Sequence, residues 1–178
     1  EKDLDEKKYN QFIDDYFHKS KKYQIIGTST PQYMMYPESF KDIKTRLPNI
    51  KIIAILRELI KRLISHYDMA CRFGKETRSI NLVIKNQLEN LEYFRKSPFD
   101  DSTGKYIVAG EYGRIFLELL KHFEKKKILV LLFKDLINEP KKEIEKITNF
   151  LDFETKINRF NKFKNMRGGK KKFIEIDL

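Results

Sequence analysis

The sequence predicts an α/β domain in which a parallel sheet is flanked by helices. Three observations carry that expectation. Two apolar runs, Ile52 to Leu56 and Ile128 to Phe133, are too short for lone helices and read as buried strands. Helical patterns separate and follow these runs, and strands alternating with helices make βαβ units. The chain has 178 residues, 40% apolar and 35% charged, which suits one domain with a real core and is too apolar for disorder.

Taken in order, residues 6–20 place Tyr9, Phe12, Ile13, Tyr16 and Phe17 at three- and four-residue spacing, a helical pattern. Tyr23 to Ile26 reads as a short strand, broken by Gly27 to Pro31. Pro37 starts a helix over 38–46, which Leu47-Pro48-Asn49 ends. The strand at 51–56 follows, rich in β-branched isoleucine. A helix over 59–73 carries Leu63, Ile64, Tyr67 and Met69 and stops before Gly74. Residues 80–95 make another, with Leu82, Val83, Leu88, Leu91 and Phe94. Breakers crowd the loop at 97–104. Helix 111–124 holds Ile115, Phe116, Leu119, Leu120 and Phe123, and Lys125 to Lys127 lead into strand 128–133. A helix over 140–151 follows, and the segment after 155 is polar, with Gly168-Gly169 in it. No internal repeat or low-complexity linker appears, so residues 1–178 read as a single domain. The chain opens on Glu1 without an initiator Met, and the expectation is that the domain is incomplete at that end.

The net charge is +11. That is either a lysine-rich solvated surface or an attraction for polyanions such as nucleic acid, anionic glycans or a polyphosphorylated cofactor. Basic residues do not alternate with aromatics in the RNA-binding manner, and no zinc spacing occurs, so neither nucleic acid nor a metal is expected. The single cysteine, Cys71, excludes an internal disulfide, fits a reducing compartment and reads as an ordinary thiol. No apolar run approaches the roughly 20 residues that span a bilayer, and no secretory signal pattern opens the chain. With the Ile/Lys/Asn bias, these features point to a microbial cytoplasm, the Golgi lumen being the alternative.

The segment from Lys51 to Tyr67 holds the chemistry. A strand runs to Leu56, Arg57 stands where it stops, and Ser65 follows eight residues later in a helix. Ligands of open α/β sheets bind beyond the carboxyl ends of the strands. An arginine there can fork onto a phosphate, and a serine hydroxyl can add a hydrogen bond. Arg62 is open between a salt bridge on the helix and a ligand contact. Tyr67 is open between core and ligand.

This segment resembles the 3'-phosphate-binding motif of sulfotransferases, Arg-x-Pro-x-x-Arg-x-x-Ser-x-Tyr. Arg57, Arg62, Ser65 and Tyr67 match, while Leu59 replaces the proline. Other pieces resemble the family in the right order. They are Gly27 to Tyr33, Leu47 to Lys51, Gly110-Glu111-Tyr112, the strand at 128–133 with Asp135-Leu136, Pro140, Phe150-Leu151, and Asn165-Met166-Arg167. The resemblance covers roughly residues 24–170 and implies a P-loop-NTPase-like three-layer fold with a central parallel sheet. It implies sulfuryl transfer from 3'-phosphoadenosine-5'-phosphosulfate (PAPS) to a hydroxyl or amine, a carbohydrate among the acceptors, leaving 3',5'-adenosine bisphosphate. Arg57, Ser65, Arg62 and Arg167 are the expected cofactor contacts, and Tyr33 and Tyr112 the expected acceptor contacts. No metal is needed.

Two departures stand out. The family's 5'-phosphosulfate loop, Lys-x-Gly-Thr-[Ser/Thr], is not found before Tyr23. Thr28 stands where the family places a Glu or His base, and a neutral threonine cannot take that role at pH 7. Glu111 and His66 are the candidate bases by sequence neighbourhood. The alternative function is a catalytically degenerate module that binds a nucleotide or a partner. A P-loop kinase relative is disfavoured, because no Gly-x-x-x-x-Gly-Lys occurs. The acceptor's identity and the oligomeric state are not written in the sequence.

Overall fold

A computed structural model describes residue 25 and residues 27–97 and 104–152. The predicted helix over 6–20 and all of the predicted strand at 23–26 but Ile25 lie outside the described residues, and Ile25 itself has no assigned secondary structure. By contacts the chain divides into two compact units, Glu1–Pro31 and Gln32–Leu178. All the helices and strands below belong to the second.

Two parallel strands, β1 (Ile52–Leu56) and β2 (Ile128–Leu132), pair in register from Ile52 opposite Ile128 to Leu56 opposite Leu132. Their branched side chains suit a pleated surface, but the strands are less covered than the apolar runs predict. Ala54 and Leu131 are buried, while Ile55, Val130 and Leu132 are about half exposed, because among the described residues the sheet has only these two strands. Helix α1 (Ser39–Arg46) precedes β1, and α5 (Tyr112–His122) precedes β2. Phe40 of α1 meets Ile115, Leu119 and Phe123 from α5 and its end, and Ile50, Ile52 and Ile128 pack against that cluster. Ile115 and Leu119 are four residues apart, so they lie on one helix face and both point into the core.

Helix α2 (Leu59–Arg72) leaves the end of β1 after a two-residue turn. Glu58 caps it, accepting from the N–H groups of Ile60 at 2.9 Å and Lys61 at 2.8 Å. Those two donors hold its carboxyl below the usual range. Leu59, which replaces the proline favoured at a first helical position, thus begins the helix without it because the cap supplies the start signal.

The predicted helix over 80–95 is two helices, α3 (Ile80–Glu89) and α4 (Leu91–Lys96). Asn90 divides them at φ −122° and ψ 34°, and its side-chain amide donates to the carbonyl of Asn86 at 2.9 Å. Asparagine offers the backbone this local alternative to helical bonding. Beyond β2 the chain turns at once into α6 (Phe133–Asn138), which the sequence pattern did not reveal; Phe133, expected to end the strand, opens the helix instead. Six residues span less than two turns, too few to establish a helical period.

Pro140 opens α7 (Pro140–Leu151), as its fixed φ allows. Lys51, just before β1, closes the far end of α7. Its ammonium donates to the carbonyl of Phe150 at 2.7 Å and pairs with Asp152. A cation at a helix C-terminus meets the negative end of the dipole. No helix among the described residues is long and apolar enough to cross a membrane.

Candidate functional site

Arg57 occupies the carboxyl end of β1, one residue beyond the last strand pair. Its backbone carbonyl accepts a 2.9 Å hydrogen bond from the hydroxyl of Tyr112, at the start of α5. Its guanidinium carbon lies 5.4 Å from the ring centroid of Phe133. Among the described residues no carboxylate pairs with it. The adjacent acid, Glu58, is occupied by the helix end. Arg57 is half-buried, and its guanidinium N–H groups make no hydrogen bond among the described residues.

Ser65 lies on α2 two turns further on, half-buried, and its hydroxyl has no hydrogen-bond partner among the described residues. Glu58 takes the Ile60 and Lys61 N–H groups, and the Arg62 N–H bonds the Glu58 carbonyl at 2.8 Å. These backbone donors are therefore not open to a ligand. Any anion held here rests on side chains, Arg57 and Ser65 first among them.

Arg62 goes elsewhere. Its guanidinium donates to the carbonyl of Tyr106 and lies against Gly110. A Cβ at position 110 would stand 3.1 Å from Arg62 Nη2. Burial draws the Arg62 pKa down, and its Nε has no partner among the described residues. Arg62 is among the expected cofactor contacts; the contacts it makes here grip the turn at 104–110. The Gly-x-Tyr at 110–112 now has a physical reason. The glycine admits Arg62, and the tyrosine reaches back to Arg57.

Tyr106 is the centre of this buttress, fully buried with Ala70 and Val83. The ring of His66 meets its edge at 4.7 Å. Its hydroxyl donates to Glu76 at 3.3 Å. Glu76 also accepts from the side chain of Arg78, at 2.9 and 2.8 Å, and from the backbone N–H groups of Thr77 and Arg78. The Arg78 side chain is the largest reason that the Glu76 pKa falls to about 2. Tyr67 donates to the Arg78 carbonyl at 2.6 Å, so it too holds the fold. Next to Tyr106, Lys105 is fully buried; its ammonium donates to the Ser97 carbonyl at 2.9 Å and sits 4.0 Å over the Tyr36 ring.

Glu111 is clamped by Arg95, which also pairs with Glu92, and by Arg114 at 2.6 Å. Burial alone would raise its pKa, but the bonds from Arg95 and Arg114 outweigh it and hold the carboxylate below the ordinary value. A base so stabilised accepts a proton poorly, so the geometry gives Glu111 the task of joining α4 to α5. Tyr33 is exposed on a 3₁₀ turn at Pro31–Met34. Thr28 and Ser29 are exposed in the first unit. Arg167 lies outside the described residues. No cluster of metal-ligating side chains occurs among the described residues.

Residues 6–175 match the family model described as sulfotransferase domain. The chain belongs to the sulfotransferase domain family. Among solved structures, a sulfotransferase from Alicyclobacillus acidocaldarius is similar over 68% of this chain and 47% of its own, with 22% identity and a TM-score of 0.59. The sulfotransferase domain from the curacin biosynthetic pathway is similar over 89% of this chain and 50% of its own, with 13% identity and a TM-score of 0.53. At such identities the likeness speaks for the fold, an α/β P-loop-like one with a parallel sheet. This sulfotransferase domain spans about half the length of those two chains. No curated protein matches it.

Within the domain, Phe133 is the contact that sequence reasoning missed. The signal was present in the alignment of the two apolar runs. If Leu56 pairs with Leu132, the next residues, Arg57 and Phe133, emerge at the same end of the sheet.

Proposed function

We propose that this domain binds PAPS through its 3'-phosphate, in a sulfotransferase that delivers the sulfuryl group to a hydroxyl or amine of a small-molecule or carbohydrate acceptor. One observation carries the reading: at the carboxyl end of β1, Arg57 has no acidic partner among the described residues and Ser65 has no hydrogen-bond partner. A forked guanidinium and a hydroxyl two turns along the following helix suit a phosphate dianion. The family match supports the same donor.

The donor supplies the transferable sulfuryl group. The chain's own share is positioning and charge neutralisation. Arg57 meets the phosphate's charge and Ser65 adds a directional hydrogen bond, so that the adenosine end is held in one register. Tyr112 holds the Arg57 backbone through its carbonyl, and Arg62 beside Gly110 ties α2 to the turn that precedes Tyr112. The basic surface suits an anionic acceptor.

A second reading, binding without transfer, has its own support. Glu111 is committed to two arginines, and Thr28 is neutral at the position of the family's base. Two measurements on the whole chain separate these readings. Titration calorimetry with 3',5'-adenosine bisphosphate tests the site: binding is expected, and Arg57→Ala weakens it roughly 10- to 100-fold, the worth of a charge-assisted contact. Absence of binding, or equal affinity in Arg57→Ala, sinks the phosphate assignment. Transfer of labelled sulfate from PAPS to a panel of sugars, phenols and amines is expected in the enzyme reading; binding without any transfer favours the module.

A further inference from the structure

We propose that Phe133 is a positioning residue that holds the Arg57 guanidinium ready for phosphate. The inference rests on the phosphate reading above and adds to it how the arginine is aimed. The strands run parallel in register and end on the pair Leu56 and Leu132, so Arg57 and Phe133 emerge side by side. The guanidinium carbon is 5.4 Å from the ring centroid, within the range where a ring face attracts a cation.

The kind of contact matters. A carboxylate holding Arg57 would use the N–H edge that a phosphate needs and would cancel the charge. A ring has no carboxylate to take the N–H edge and no opposite charge to cancel the cation. It still narrows the rotamers of a long side chain, so less freedom is lost when the ligand arrives. Phe133 is itself well anchored, since α6 starts directly from β2 with no loop between them. Tyr112 holds the other end of the same residue through the Arg57 carbonyl. Arg57 is thus held at its backbone and at its head group, and neither contact sets a carboxylate against its guanidinium.

The test uses the full chain and 3',5'-adenosine bisphosphate as probe. Phe133→Leu, which keeps apolar bulk and removes the ring, is expected to weaken binding about three- to tenfold, the size of a partly exposed cation–π contact. Phe133→Tyr is expected to restore it. In the Arg57→Ala background, Phe133→Leu should add nothing. In the free protein the Arg57 Nε–H resonance should be shifted by the ring current and return towards its random-coil position in Phe133→Leu, a readout independent of the ligand. Melting temperatures establish that each variant is folded; if Phe133→Leu is not, Phe133→Tyr together with the resonance shift of the unmodified chain carries the test. Equal affinity in folded Phe133→Leu, the same loss with Arg57 already removed, or an unshifted resonance overturns the inference. If instead Arg57→Ala leaves affinity unchanged, it is the phosphate assignment that fails.

Discussion

Arg57 and Arg62 stand five residues apart in one motif, and the molecule treats them in opposite ways. Arg57 leaves the end of a strand, meets a ring face and a tyrosine hydroxyl, and finds no acid among the described residues. Arg62, one turn into α2, grips the Tyr106 carbonyl beside Gly110. Both are arginines with five N–H donors. The difference lies in what reaches them. At one site the side chain meets an aromatic ring and no acid among the described residues. The other uses a donor to close a loop. The same split divides the surrounding residues, with Ser65 unpartnered among the described residues and Tyr67, Glu76 and Tyr106 bonded in the buttress.

The contrast predicts that damage to the buttress unfolds the domain, whereas damage to the open side weakens binding only. The largest effect is expected for Tyr106→Ala. Removing a fully buried aromatic ring should lower unfolding free energy by about 3 to 5 kcal/mol, read by urea denaturation. A loss under 1 kcal/mol would mean that Tyr106 does not anchor the turn at 104–110.

Acid is the next probe of the buttress. The Glu76 carboxyl has a folded-state pKa of about 2, below the ordinary 4.5, so its contribution is present above pH 4.5 and fades as the pH falls towards 2. Glu76→Gln should be less stable than the unmodified chain at pH 7, and the gap should close across that window. A gap that stays constant with pH would remove Glu76's charge from the account.

The smallest effect belongs to the open side. Ser65→Ala is expected to weaken 3',5'-adenosine bisphosphate binding about three- to tenfold while the melting temperature stays within a degree or two. A destabilised Ser65→Ala with unchanged affinity would move Ser65 into the buttress and erase the contrast.

Legibility in the sequence followed the same division. The bounds of α1, β1, α2 and α7 fall within a residue or two of the periodic patterns, because caps, prolines and apolar spacing are local signals. The break at Asn90 was missed because asparagine's competing bond overrides a continuous apolar stripe. Helix α6 was missed because its six residues are too few to show a period. The placement of Arg57 at a strand end and of Ser65 on the next helix was legible, since the two elements are contiguous in the chain. The tasks of Arg62 and Tyr112 were not, because their partners lie 44 and 55 positions away.

By itself the sequence determined the kind of chain this is: βαβ units, a strand that ends on an arginine, and a serine two turns into the following helix. Those features depend on local propensity and spacing, which every residue carries with it. The tertiary structure alone decided which arginine stays open, because that depends on the partner each meets. Parallel pairing brings Phe133 to Arg57 from a strand far along the chain. The absence of a side chain at Gly110 lets Arg62 close against the turn. The motif divides there: Arg57 and Ser65 keep no polar side-chain partner among the described residues, while Arg62 and Tyr67 bond the carbonyls of Tyr106 and Arg78.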